Sequence, residues 1–195
     1  MKKLFSKKVL LVILLVLMIG GSSTYLFIFK KTGSENNSNS EQTEIKVDSL
    51  MGYIGGESNY SKFNTLIGMF DSGKYLTENE AGLEPSLIVF APNNSAFSKE
   101  EMKPFESLGA DSKDKIKLYH MAKVYPEAQG ASPSLELSDG KSIQTLLGRE
   151  LLVKKQEEGF VIIDGKGREA AVDKKFATSN KGDRIYFIDN VLLFQ

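Results

Sequence analysis

The chain has 195 residues, 25 basic and 25 acidic side chains and no cysteine. That length gives one ordinary domain behind a leader, large enough to bury a core. The missing thiols exclude a disulfide scaffold, a lipidated cysteine and a thiolate metal site. Six lysines in residues 1–31 meet no acid, so the rest carries 19 basic against 25 acidic residues, a mildly acidic balance that argues against nucleic acid as a partner.

Lys2, Lys3, Lys7 and Lys8 precede an uncharged run of 21 residues, Val9 to Phe29, which Lys30 and Lys31 close. About 20 apolar residues at ~1.5 Å each cross a hydrocarbon core of about 30 Å, so residues 9–29 are expected to be a transmembrane signal anchor. Four lysines before the run against two after it put residues 1–8 in the cytoplasm and the C-terminal domain outside, as a single-pass cell-membrane protein. The competing reading is a cleaved signal peptide, with Gly21 and Ser23 resembling a cleavage site and the product secreted; Tyr25 to Phe29 continues the apolar run past that point. Residues 30–44 are expected to be a linker. Its stretch TGSENNSNSEQTE, Thr32 to Glu44, has too little apolar surface to order itself and would act as a flexible tether spanning about 20 Å. One domain, residues 45–195, follows, without internal repeats.

Val47, Leu50, Met51 and Ile54 recur at helical spacing before Gly55-Gly56. A second helix is expected from Tyr60 to Asp71, where Phe63, Leu66, Ile67 and Phe70 form one apolar stripe. Thr77 to Pro85 reads as a loop. Leu87 to Ala91 is an apolar run bracketed by Pro85 and Pro92, hence a strand covered on both faces. Asn93 and Asn94 then accept backbone N–H bonds at the start of a helical turn carrying Ala96 and Phe97. A helix broken at Pro104 is expected over 98–108, and another from Asp111 or Ser112 to Lys123. Short strands are expected at Leu135 to Leu137 and Lys141 to Leu146, around an Asp139-Gly140 turn. Leu151 to Lys155 and Phe160 to Asp164 read as a hairpin, followed by strands at Ala171 to Ala177 and Ile185 to Leu193. Helices mostly first and strands mostly later make the fold class α+β.

Few residues here suggest chemistry. Gly165 to Ala170 fits G-x-G-x-x-A after a strand, but no apolar-striped helix follows and too little chain remains for nucleotide-binding units, so it reads as a hairpin turn. His120 is the only histidine, which excludes a histidine zinc cluster, and it reads most simply as a partly buried ring hydrogen-bonded to backbone. Glu157-Glu158 and Lys174-Lys175 read as solvated turn or strand residues. Lys181-Gly182-Asp183-Arg184 has the wrong order for an Arg-Gly-Asp sequence.

Four stretches in order resemble the fasciclin domain family over roughly Ile45 to Phe194. They are Leu87 to Phe97 (LIVFAPNNSAF), the Tyr119-His120 pair with its Val124-Tyr125-Pro126 exit, Thr145 to Leu151 (TLLGREL), and Ala177 to Asn180 followed by Ile185 to Leu193 (IYFIDNVLL). Three features depart from the family pattern. Lys181 and Asp183-Arg184 enlarge a loop that is usually a tight turn, Tyr186 stands where histidine is frequent, and Phe194-Gln195 replaces a closing proline. The resemblance implies a compact wedge of β-sheet with helices along one side. It also picks out family-motif positions, mainly structural: Phe90, Ala91, Pro92, Asn93, Phe97, Tyr119, His120, Gly148, Asn180 and Asp189.

The function expected on these grounds is a membrane-anchored extracellular adhesion or matrix-association domain that binds proteins or glycans, without a cofactor and without enzymatic activity. The alternative is a carrier of a small hydrophobic ligand, a lipid or pigment, which would need a preformed apolar pocket. An enzyme would need clustered polar groups in a cleft, and the sequence offers no recognisable nucleophile, metal cluster or phosphate cradle.

Overall fold

A computed structural model describes residues 42–195 except 69, 100, 101, 103, 104 and 106. The expected signal anchor at 9–29 and nearly all of the linker lie outside the described residues. Among the described residues no helix is long and apolar enough to cross a membrane.

Four helices and eight strands are described: β1 (Thr43–Val47), α1 (Leu50–Gly56), α2 (Ser61–Ile67), α3 (Ser72–Tyr75), β2 (Ser86–Pro92), α4 (Ala110–Tyr119), β3 (Met121–Val124), β4 (Ser142–Gln144), β5 (Glu150–Gln156), β6 (Gly159–Ile163), β7 (Glu169–Ser179) and β8 (Arg184–Ile188). The strands follow one path, β3-β2-β8-β7-β6-β5-β4, with β1 added in parallel beside β7. The chain is α+β, as expected.

Strand β2 is the axis. Every residue from Ser86 to Pro92 is buried, with β3 antiparallel on one side and β8 parallel on the other. Because side chains alternate across a strand, Leu87, Val89 and Ala91 enter a core with Ile54, Phe63 and Ile116 from α1, α2 and α4. Ile88 and Phe90 enter a second core with Leu151, Val153 and Ile162 from β5 and β6. Helices thus cover one face of the central strands and the hairpin strands cover the other. Strand β7 joins both parts: Val161 and Ile162 pair with its first half, while Ile185 and Tyr186 pair with its second. Its register against β8 shifts between Val172 and Phe176, so this strand bulges where it passes from one part to the other.

Several boundaries differ from expectation. Val47 belongs to β1, not to the first helix, which begins at Leu50 after Ser49 accepts the Gly52 N–H at 3.3 Å. The sheet starts at Thr43, inside the segment read as linker. Tyr60 to Asp71 divides between the end of a 3-10 turn (Ser58–Tyr60), helix α2 and the residues before α3. Helix α4 starts after Gly109, with no side-chain cap, and stops at Tyr119. Its expected last turn is instead β3, because Met121 and Ala122, both fully buried, complete the sheet edge beside β2. Leu135 and Leu137 are buried without forming a strand. The helix expected over 98–108 falls on a stretch only partly described.

Strand β8 ends at Ile188, five residues before the expected end at Leu193. Beyond it the backbone leaves the ladder and side chains take over its hydrogen bonds: Leu192 N–H donates to His120 Nε2 at 3.0 Å and Leu193 N–H to Asp164 Oδ2 at 2.9 Å.

Candidate functional site

Two polar groupings stand out, one internal and one at the surface. The internal one gathers around His120, which is fully buried rather than partly so. Its Nδ1–H donates to Ile116 O at 2.8 Å, which leaves Nε2 as the acceptor for Leu192 N–H, so the ring is a neutral imidazole. Burial pushes its pKa down to about 4. The Tyr119 hydroxyl donates to Glu150 O at 3.2 Å and accepts the Gly165 N–H at 2.7 Å. Sequence reasoning missed the third member, Asp164. This buried carboxylate accepts N–H groups of Lys166, Arg168 and Leu193, and Arg168 reaches it through Nε (3.0 Å) and Nη2 (2.7 Å). Arg168 Nη2 also donates to Val191 O at 2.6 Å. These groups tie α4, the β6–β7 turn and the C-terminal segment together. Apart from the Asp164–Arg168 ion pair, their described bonds run to backbone, as in a structural network.

The other motif positions are distributed through the fold. Phe90, Ala91 and Pro92 lie in β2, with the Phe90 ring 6.0 Å from that of Tyr186. Phe97 is buried in the 3-10 turn Ala96–Ser98. Asn93 accepts the Ala96 N–H at 3.0 Å, whereas Asn94 caps α2 instead, accepting the Lys62 N–H at 3.0 Å. Gly148 has φ of 76°, a left-handed turn conformation that favours glycine. The Asn180 amide donates to Asp48 at 3.2 Å, and Asp189 accepts the Ala171 N–H at 2.7 Å.

The model of the fasciclin domain matches residues 58–194, well over half of the chain. The chain belongs to the fasciclin domain family. No curated protein matches it. The matched region begins after β1 and α1, so these two elements stand outside it.

At its surface the fasciclin domain carries an open depression of ≈ 160 Å³ beside the β7 bulge, bordered by Tyr60, Asn93, Val172, Asp173, Phe187 and Asp189. It brings together two of the motif positions, Asn93 and Asp189, with residues that no local pattern marks. The Tyr60 ring stacks on Phe187 at 4.8 Å, and burial, helped by the charge of Asp173, pushes its phenol up to about 12. The Tyr60 hydroxyl therefore stays protonated at neutral pH. Asp173 Oδ1 accepts the Lys175 N–H at 3.0 Å, and Asp189 Oδ2 lies 3.8 Å from Lys99 Nζ. Among the described residues no group of three or more His, Cys, Asp or Glu is placed to hold a metal ion.

Proposed function

We propose that this chain is an adhesion or matrix-association module, held at the cell surface by residues 9–29, which binds surface or matrix proteins or glycans. The carrying observation is membership of the fasciclin family, whose domains are generally linked to adhesion and matrix association. Two features support recognition over catalysis or carriage. The His120, Tyr119 and Asp164 groups are spent on backbone partners and, for Asp164, on the Arg168 guanidinium, so they are committed to holding the fold. The surface depression, at ≈ 160 Å³, is smaller than the roughly 300–1,000 Å³ that encloses a drug-sized ligand, and its border is partly charged, which suits a contact point better than a lipid or pigment.

The anchored arrangement is tested by tagging the two ends. A tag after Gln195 is expected to be digested by protease added to intact or wall-stripped cells, and one at Met1 to be protected. Protection of the C-terminal tag would overturn the surface placement, and recovery of a released chain beginning near Thr24 would replace the anchor with a cleaved signal peptide.

A further inference from the structure

Resting on the recognition reading above, we propose that the depression beside the β7 bulge receives one basic side chain, arginine or lysine, of a partner protein. Charge is the first argument. Two carboxylates, Asp173 and Asp189, border the depression. Asp189 is partly compensated, since one oxygen takes the Ala171 N–H and the other faces Lys99 Nζ, itself held by Asn190 Oδ1 at 2.7 Å. Asp173 has no ion-pair partner among the described residues, and its second oxygen carries no hydrogen bond among them. An anion is disfavoured there.

Shape and surroundings narrow the occupant further. The depression is open and small, at ≈ 160 Å³, which suits the head of one side chain and does not enclose a lipid chain. A hard metal cation needs several oxygen ligands, whereas only two carboxylates are offered. Tyr60 supplies an aromatic ring beside the carboxylates, and its hydroxyl has no hydrogen-bond partner among the described residues. A carboxylate next to an aromatic ring suits an organic cation, and arginine above lysine, because guanidinium is weakly hydrated and stacks on rings. The bulge explains how the pieces meet: the shift between Val172 and Phe176 sets Asp173 outside the regular ladder, beside the end of β8.

The test is a nitrogen-15 chemical-shift titration of the full-length chain in non-ionic detergent with N-acetyl-arginine amide, N-acetyl-lysine amide, N-acetyl-glutamine amide and cellobiose. The two cations are expected to shift the amides of residues 171–175 and 187–190, and glutamine amide and cellobiose to leave them in place. Asp173→Asn retains an oxygen for the Lys175 N–H and is expected to weaken the cation response about two- to fivefold, the range of one exposed ion pair. Asp111→Asn on α4 is expected to have no effect. Absence of a localised cation response, an unchanged response in Asp173→Asn, or a response to cellobiose in place of the cations would each overturn the proposal. Surface retention separates the two readings: beads carrying Asp173→Asn retained as well as wild type would remove the cation site and leave adhesion standing, whereas wild-type beads that are not retained would remove adhesion itself.

Discussion

Acidification should unlock the fold through His120. The unfolded imidazole takes up a proton near 6.5, whereas the buried one resists it until about 4. The folded pKa is depressed, so the stabilisation is fully present above 6.5 and is lost as pH falls from there toward 4. Each unit of the difference corresponds to about 1.4 kcal/mol, which gives about 3 kcal/mol over the window and about 2 kcal/mol by pH 5. Ordinary carboxylates titrate mostly below that, so the interval from pH 6.5 to 5 isolates the histidine. Urea unfolding read by tyrosine fluorescence suits a chain with 7 tyrosines and no tryptophan. Wild type is expected to lose about 2 kcal/mol between the two pH values. His120→Gln is expected to be less stable at both and nearly flat between them. A wild-type stability that does not change over this interval, or an equal slope in the variant, would refute the assignment of a buried neutral imidazole bonded to Ile116 and Leu192.

Two further changes probe the core and the internal polar network. Phe90→Ala removes a fully buried ring packed beside Tyr186 and is expected to cost about 3–5 kcal/mol, seen as a lower urea midpoint with the same slope. Asp164→Ala removes the buried acceptor of the Arg168 Nε and Nη2 groups and of the Leu193 N–H and is expected to cost about 3 kcal/mol, with hydrogen-exchange protection lost first in residues 191–194.

The central strand was legible because prolines bracket an apolar run too short for a helix, and the β5–β6 hairpin because two β-rich runs flank a polar turn. The boundary between α4 and β3 was hidden. Residues 110–124 contain nothing that breaks a helix, and only the vacant edge of β2 draws Met121 and Ala122 into a strand. The end of β8 was hidden for a similar reason, since Val191 to Leu193 are as apolar as a strand but are held by side chains of His120 and Asp164, 72 and 29 residues distant. Asp164 read as the end of a hairpin strand, because nothing near it in the chain signals its contact with Leu193, 29 residues on. The Tyr119-His120 pair, Asn93 and Asp189 were marked by the family resemblance. Tyr60 and Asp173 carry no such mark, and a strand bulge together with a distant 3-10 turn brings them to one depression.

The central claim, surface recognition by an anchored fasciclin domain, is tested most directly by the retention of beads coated with residues 42–195 on native envelope or matrix polymers. One small contact patch must offset several kcal/mol of lost translational and rotational freedom, so the soluble domain is expected to bind weakly and dense copies to bind through avidity. Retention that rises steeply with coating density, and is competed by excess soluble domain, is the predicted result. Retention no better than an inert coating at every density, with a lipid or pigment bound one-to-one in the purified protein, would contradict it.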